Sequence, residues 1–326
     1  MIESLKARAV GVRRALVGTW RQCYVDAQRD HHATTILAGS GRGGTTWLGE
    51  LINYDNGYRF MFEPFFARHV PEVRAFRNRQ YLRPDDDDAA FLGPASLVLT
   101  GRLRNRWVDA YNHRFVVRKR LVKEIRANLF LKWMDVHFPG MPIVLVFRHP
   151  LAVASSRLYH GWSNDLADFL RQERLMADYL EPHRRLIETV DDPFEKHVLQ
   201  WCVENWIPLR QFRRGEIHLA FYEHLSVDPR TEIARLFAFL GRPFSEKIFE
   251  SVDRPSRMTW VRQGADLPQK SDPDAWKAFV SPERVKRSLE ILSRFGLDAI
   301  YSEAALPDAD AAGKMMLGDH PMGLKA

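Results

Sequence analysis

The residues with the clearest chemical content are Gly39-Ser-Gly-Arg-Gly-Gly-Thr-Thr46, set between a short apolar strand and an amphipathic helix. Closely spaced glycines let backbone N–H groups curl round an anion, and the following helix N-terminus adds partial positive charge. Phosphate binding is therefore the chemistry to expect. The nucleotide loop GxxxxGK[ST] needs that same strand–loop–helix setting. Gly39, Gly44 and the Thr46 hydroxyl satisfy it, but Thr45 holds the lysine position and Arg42 is the loop's one basic residue. A conventional ATP or GTP phosphotransferase places that lysine on the β- and γ-phosphates, so its loss argues against one.

The segment Arg42-Gly-Gly-Thr-Thr-Trp47 resembles the loop [K/R]xGTTW of sulfotransferases that use 3′-phosphoadenosine 5′-phosphosulfate (PAPS). Three further elements of that family follow in chain order. Pro142–Phe147 is a strand, then come Arg148 and, eight residues on, Ser156. Tyr222 ends a late strand in AFYEHLSVDP, and Arg262-Gln-Gly264 precedes Asp274-Ala-Trp-Lys277. Together these elements span most of the chain, from residue 34 to 295.

The resemblance implies roles. Gly41, Arg42, Gly43, Gly44, Thr45, Thr46 and Trp47 would cradle the 5′ end of PAPS, with Arg42 as the catalytic cation. Arg148 and Ser156 would hold the 3′-phosphate, with Arg262 and Gly264 closing over it. Trp47 would stack on adenine and Tyr222 would contact its edge. An arginine cannot donate a proton, but the departing phosphate is already a stable anion, so charge stabilisation suffices. Arginine at this position is similar to the carbohydrate 6-O branch. The family usually has aspartate where this chain has His149, which leaves the local hydrogen bonding of that loop open.

A base must also take the acceptor's proton. The Lys-x-His stretch of some relatives is absent, since the chain reads Arg118-Lys-Arg-Leu-Val-Lys there. Phe62-Glu-Pro-Phe-Phe66 instead resembles the FEPLF segment of carbohydrate-branch and bacterial relatives, which makes Glu63 the candidate base. A carboxylate among aromatics, held extended by the next proline, is expected to have a raised pKa. Lys119 and Lys123 are secondary candidates for contacts to sulfate or acceptor. No metal is needed: the twelve histidines show no HExxH pattern, and His31-His32 reads as a solvated loop.

Positioning these residues calls for an α/β, P-loop-like three-layer fold with a central parallel sheet. Strands are expected at Thr34–Ala38, Tyr58–Phe62, Phe115–Val117, Pro142–Phe147 and Ile217–Tyr222. The unbroken apolar run of Pro142–Phe147 suits a strand buried on both faces. Helices are expected over about 150–163, 164–189, 194–213 and 230–240. The domains read as a basic amphipathic helix over 1–30, a core over 31–300 and a flexible tail over 301–326. Residues 67–112, polar and Arg-rich, read as a helical insertion outside the sheet that forms part of the acceptor cleft.

At 326 residues, with 45% hydrophobic and 27% charged content, the chain suits one large α/β domain and excludes disorder and collagen. Cys23 and Cys202 are too few and too far apart for a disulfide framework. No apolar run reaches the roughly 18 residues that span a bilayer, and the N-terminus lacks a signal-peptide pattern, so a cytoplasmic protein is expected. The net charge of +7 equals the excess between Arg68 and Arg126, where fourteen Lys/Arg face seven Asp/Glu. Such a field favours an anionic partner. The expected partners are the nucleotide donor and a saccharide or lipid-linked saccharide acceptor, with peripheral contact to the inner membrane face and no nucleic acid. A P-loop kinase with a degenerate loop and a non-catalytic nucleic-acid-binding protein are the alternatives.

Overall fold

The computed structural model describes residues 24–252 and 272–317. Five strands form one parallel sheet: β2 (Thr34–Gly39), β3 (Arg59–Phe62), β5 (Arg120–Glu124), β6 (Ile143–Phe147) and β7 (His218–Phe221), in the order β3-β5-β2-β6-β7. Every pairing is parallel, with Ala38 beside Glu124 on one side and Leu145 on the other. A second, two-stranded sheet joins β1 (Val25–Asp26) to β4 (Val116–Val117).

The apolar runs explain the layers. Ile36 and Ala38 pack into a cluster on one face of the sheet, while Leu37 enters the cluster on the other. Leu145 and its neighbours Val144 and Val146 divide the same way. Helix α1 (Thr45–Ile52) covers the second face with Trp47, Leu48, Leu51 and Ile52. Helices α2 (Pro150–Tyr159) and α3 (Pro193–Gln211) cover the first, with Leu151, Val153, Ala154, Val198, Leu199 and Trp201. The α/β three-layer architecture read from the sequence is present. Since α1 and α2 leave adjacent strands for opposite faces, a crevice opens between the C-terminal ends of β2 and β6, where such sheets bind ligands.

Several expectations need correction. Strand β5 falls where charged Arg120, Lys123 and Glu124 hid it, yet all five of its residues are buried. The long helix expected over 164–189 breaks into short pieces: α-helix over Ala167–Leu170 and Glu173–Leu175, π-helix over Met176–Leu180, a 3-10 turn holding Pro182, and α-helix again over Arg184–Thr189. Residues 67–112 supply no strand to the sheet, but they are not peripheral to the core. They contain one α-helix, Ala89–Leu99, and place Val73, Phe76, Val98 and Leu99 in the main core. Residues 24–30 carry β1, not helix, because Val25 pairs with Val116; the rest of the expected N-terminal helix lies outside the described residues. The tail is helical over Ala309–Met315, with Asp308 capping Ala311 and Ala312 fully buried; residues 318–326 lie outside the described residues.

Candidate active site

The loop after β2 is shaped for close approach. Gly44 has φ +93, and a Cβ there would stand 2.6 Å from the Tyr222 ring. At Gly39 a Cβ would meet the Val146 carbonyl at 2.8 Å, so the loop presses directly on β6. Gly44 is also the N-cap of α1 and supplies no side-chain cap. The first N–H groups of the helix, those of buried Thr45 and half-exposed Thr46 among them, therefore open towards the crevice.

Arg42 sits at the loop tip in a left-handed conformation, φ 71. Its Nε donates to the Ser156 hydroxyl at 3.0 Å and its Nη2 to His160 Nε2 at 2.9 Å. Arg148, directly after β6, donates from Nη1 to the Arg42 carbonyl at 3.2 Å. Burial, then the Arg148 charge, lowers the Arg42 pKa. Two cations, one hydroxyl and an open helix N-terminus thus face one crevice, a set that favours a multiply charged anion.

Tyr222 lies between Gly44 and Arg148, whose guanidinium carbon stands 4.4 Å from the ring centroid. Trp47 departs from its expected part. It is 4% exposed, packs in the core, and donates from Nε1 to the Val252 carbonyl at 3.1 Å. Stacking on adenine does not fit that burial. Its ring meets Tyr222 edge-on at 5.2 Å and backs it instead. Arg262 and Gly264 lie outside the described residues.

His149, where the local hydrogen bonding was open, ties the start of α2 to the C-terminal segment. Its Nδ1 accepts from Leu151 N at 3.3 Å as the N-cap of α2, while Nε2 donates to the Ser302 carbonyl at 3.0 Å. The accepting role of Nδ1 demands the neutral ring, and burial lowers its pKa to about 4. Trp276 stacks on it with centroids 4.3 Å apart.

The loop rests on a buried polar cluster that the sequence did not disclose. Glu204 of α3 accepts from Ser40 Oγ at 2.6 Å, Arg157 Nη2 at 2.8 Å and Arg79 Nε at 3.2 Å. Arg157 Nε also donates to the Gly41 carbonyl at 3.1 Å, and Asn205 donates to Ser40 at 3.0 Å. Burial raises the Glu204 pKa, but Arg157 and Arg79 outweigh it and hold the group near about 2. The mixed polar face of α3 was the available signal.

Glu63 follows β3, but proline does not hold it extended: its φ is +46. Its N–H donates to the Lys123 carbonyl at 2.8 Å, the last rung of the ladder between β3 and β5, and the chain turns sharply away at that residue. Lys123 Nζ lies 2.6 Å and Arg126 Nη1 2.7 Å from its two oxygens. Burial would raise its pKa, yet these two cations outweigh burial and lower it. The expected raised pKa is thus overturned; Glu63 is a carboxylate at neutral pH. Beside it Arg126 lies 3.7 Å over the Phe66 ring, and Trp107 stacks on exposed His69 at 4.1 Å. Lys119 is exposed, whereas Lys123 is buried.

Asp30, His31 and His32 bring ligand atoms within 4.8 Å of one another, but largely exposed and before β2, at the end of the sheet away from this crevice. Among the described residues no helix is long and apolar enough to cross a membrane.

Residues 32–264 match the sulfotransferase domain family. No curated protein matches the chain. Solved structures with similar folds include the sulfotransferase domain of the Synechococcus PCC 7002 olefin synthase, 17% identical, covering 80% of this chain and 94% of that one at TM-score 0.44. Another is retinol dehydratase in complex with androsterone and the inactive cofactor PAP, 19% identical, covering 81% and 80% at TM-score 0.42. A Mycobacterium avium sulfotransferase is 14% identical, covering 86% and 79% at TM-score 0.42.

Proposed function

The chain belongs to the sulfotransferase domain family, and from that premise we propose that it moves the sulfuryl group of PAPS to a hydroxyl of a saccharide or glycolipid. The observation that carries this reading is the meeting of Arg42, Arg148 and Ser156 at the open N-terminus of α1. Arg148 and Ser156 suit a 3′-phosphate. Backbone N–H groups of residues 43–46, with Arg42, suit the 5′ end. Tyr222, held between Gly44 and Arg148, gives the nucleotide an aromatic edge.

In the transfer, the acceptor oxygen bonds to sulfur as the bond from sulfur to the bridging phosphate oxygen breaks. Adenosine 3′,5′-bisphosphate (PAP) leaves, and the hydroxyl proton goes to a base. Arg42 stabilises charge gathering on the bridging oxygen, as in other in-line group transfers. Glu63 is our candidate base: it is ionised, stands at the C-terminal end of β3 and borders the aromatic surface of Phe66, Trp107 and His69. That surface, beside charged groups, suits the flat face and hydroxyls of a sugar ring. Reaction in the cytoplasm, with a lipid-linked acceptor met at the membrane face, completes the reading.

The test is direct: purified protein with PAPS and a panel of saccharide acceptors, PAP and the sulfated product being measured together. Equimolar PAP and sulfated sugar are expected. Turnover on phenols or amines with none on any saccharide would refute the acceptor class while leaving the donor in place.

A further inference from the structure

His160 caps the C-terminal end of α2, one helical turn beyond Ser156, and both residues meet the same guanidinium. A guanidinium carries only donors, so the ring nitrogen that Arg42 Nη2 approaches at 2.9 Å must accept. His160 is then neutral, with its proton on Nδ1. With Nε2 occupied by Arg42 and Nδ1 protonated, the ring has no site at which to act as a base in this arrangement. Its contribution is to hold Arg42.

The surrounding contacts agree. The residues after His160 press on the loop, because a Cβ at Gly41 would stand 2.6 Å from the Trp162 indole. Arg148 fixes the Arg42 carbonyl, and Ser156 fixes Nε. The contact to His160 holds Nη2 from the end of α2, so that Nε and Nη2 are both tied to that helix and the tilt of the guanidinium plane is fixed. Among the described residues, the groups facing the imidazole are Arg42 from the loop and, from its own helix, the Tyr159 ring, edge-on at 5.1 Å. A protonated ring could not accept from Arg42 and would set a second cation against it.

We propose that His160 is a positioning residue for sulfuryl transfer, its neutral Nε2 fixing the Arg42 guanidinium in the donor crevice. The proposal rests on the PAPS reading. It makes turnover, and not donor binding, sensitive to protonation of His160.

The test compares wild type, His160→Ala and His160→Gln. Slow conversion of PAPS to PAP and sulfate, with water in place of the acceptor, gives a rate that needs no known acceptor. The expected result is a fall in kcat of about tenfold or more in H160A, with PAP affinity and donor KM within about twofold. H160Q, which restores an acceptor oxygen, should recover most of the rate and lose the acid-side limb of the pH profile. Nitrogen-15 spectra, with the His160 signal identified by its loss in H160Q, should show the neutral Nδ1–H tautomer near pH 7.5.

An unchanged rate and pH profile in H160A would overturn the proposal, as would the Nε2–H tautomer in wild type. Where water reacts too slowly for a rate, the tautomer decides. Failure of the wild type to bind PAP would instead sink the donor reading, so the two failures are distinguishable.

Discussion

Arg42 Nε meets Ser156 Oγ at 3.0 Å, although 114 residues separate them in the chain. The contact joins the loop after β2 to the helix after β6, and with Arg148 it builds one anion-binding crevice from two distant motifs. Replacing Arg42 with alanine should lower kcat about a hundredfold or more, the usual cost of losing a charge-stabilising donor. Affinity for PAP should change much less. Arg42→Lys keeps the charge but not the forked geometry and should fall between. PAPS turnover and PAP calorimetry on both variants check this.

Gly44→Ala should abolish donor binding more severely than its size suggests. The left-handed backbone at φ +93 and the Tyr222 ring 2.6 Å from the new methyl leave it no room. Calorimetry with PAP is the readout. Binding within a few-fold of wild type would mean that Tyr222 moves away at little cost.

Glu204→Ala should destabilise the fold by about 3–5 kcal/mol, since it takes the shared carboxylate from buried Arg157 and leaves Arg79 with Asp168 at 3.8 Å. The sign of its pH dependence follows from the lowered pKa. Its stabilisation is complete above the ordinary glutamate value of 4.5 and is lost as pH falls towards about 2. Denaturant melts between pH 6 and 3 should show wild type losing stability below pH 4.5 and the variant losing less.

His149 gives a pH dependence in a higher window. Its pKa is about 4 in the fold against 6.5 in the open chain, so the unfolded state binds the extra proton between those values. Stability from this group is therefore full above pH 6.5 and declines as pH falls to 4, with a slope of at most about 1.4 kcal/mol per pH unit. His149→Asp keeps the cap on α2 and should flatten that part of the curve. His197, also near 4, contributes a similar limb that the substitution leaves in place.

The Glu63 carboxylate should leave its own mark on rate. Because Lys123 and Arg126 hold its pKa down, kcat should not fall from this group until the pH drops below the usual carboxylate range. Glu63→Gln should lower kcat at every pH. A rate limb near pH 6.5 that disappears in E63Q would show that the two cations do not hold the group as the contacts suggest.

The strands and glycine loop were legible because local patterns made them. Thr34–Gly39 and Ile143–Phe147 are apolar runs buried on both faces, and the glycines stand where backbone must approach backbone. Strand β5 was not legible, since its burial of Arg120, Lys123 and Glu124 depends on partners from elsewhere: Asp26, Glu63 and the backbone of Phe65. The same holds for Glu204 and for His160, whose roles exist only once α2 and α3 dock beneath the loop. Glu63 shows the reverse hazard. Its aromatic neighbours suggested a raised pKa, but two cations that only tertiary structure brings near reversed it. Trp47 likewise matched a motif while packing as core.

The central claim is that the crevice between β2 and β6 recognises a 3′-phosphorylated adenine nucleotide. Calorimetry of wild type and Arg148→Ala with PAP, 5′-AMP and ATP plus Mg²⁺ tests it most directly. The account predicts tight, metal-independent binding of PAP, much weaker binding of 5′-AMP, and loss of that preference in R148A. Equal affinity for PAP and 5′-AMP, or a preference for ATP with Mg²⁺, would contradict it.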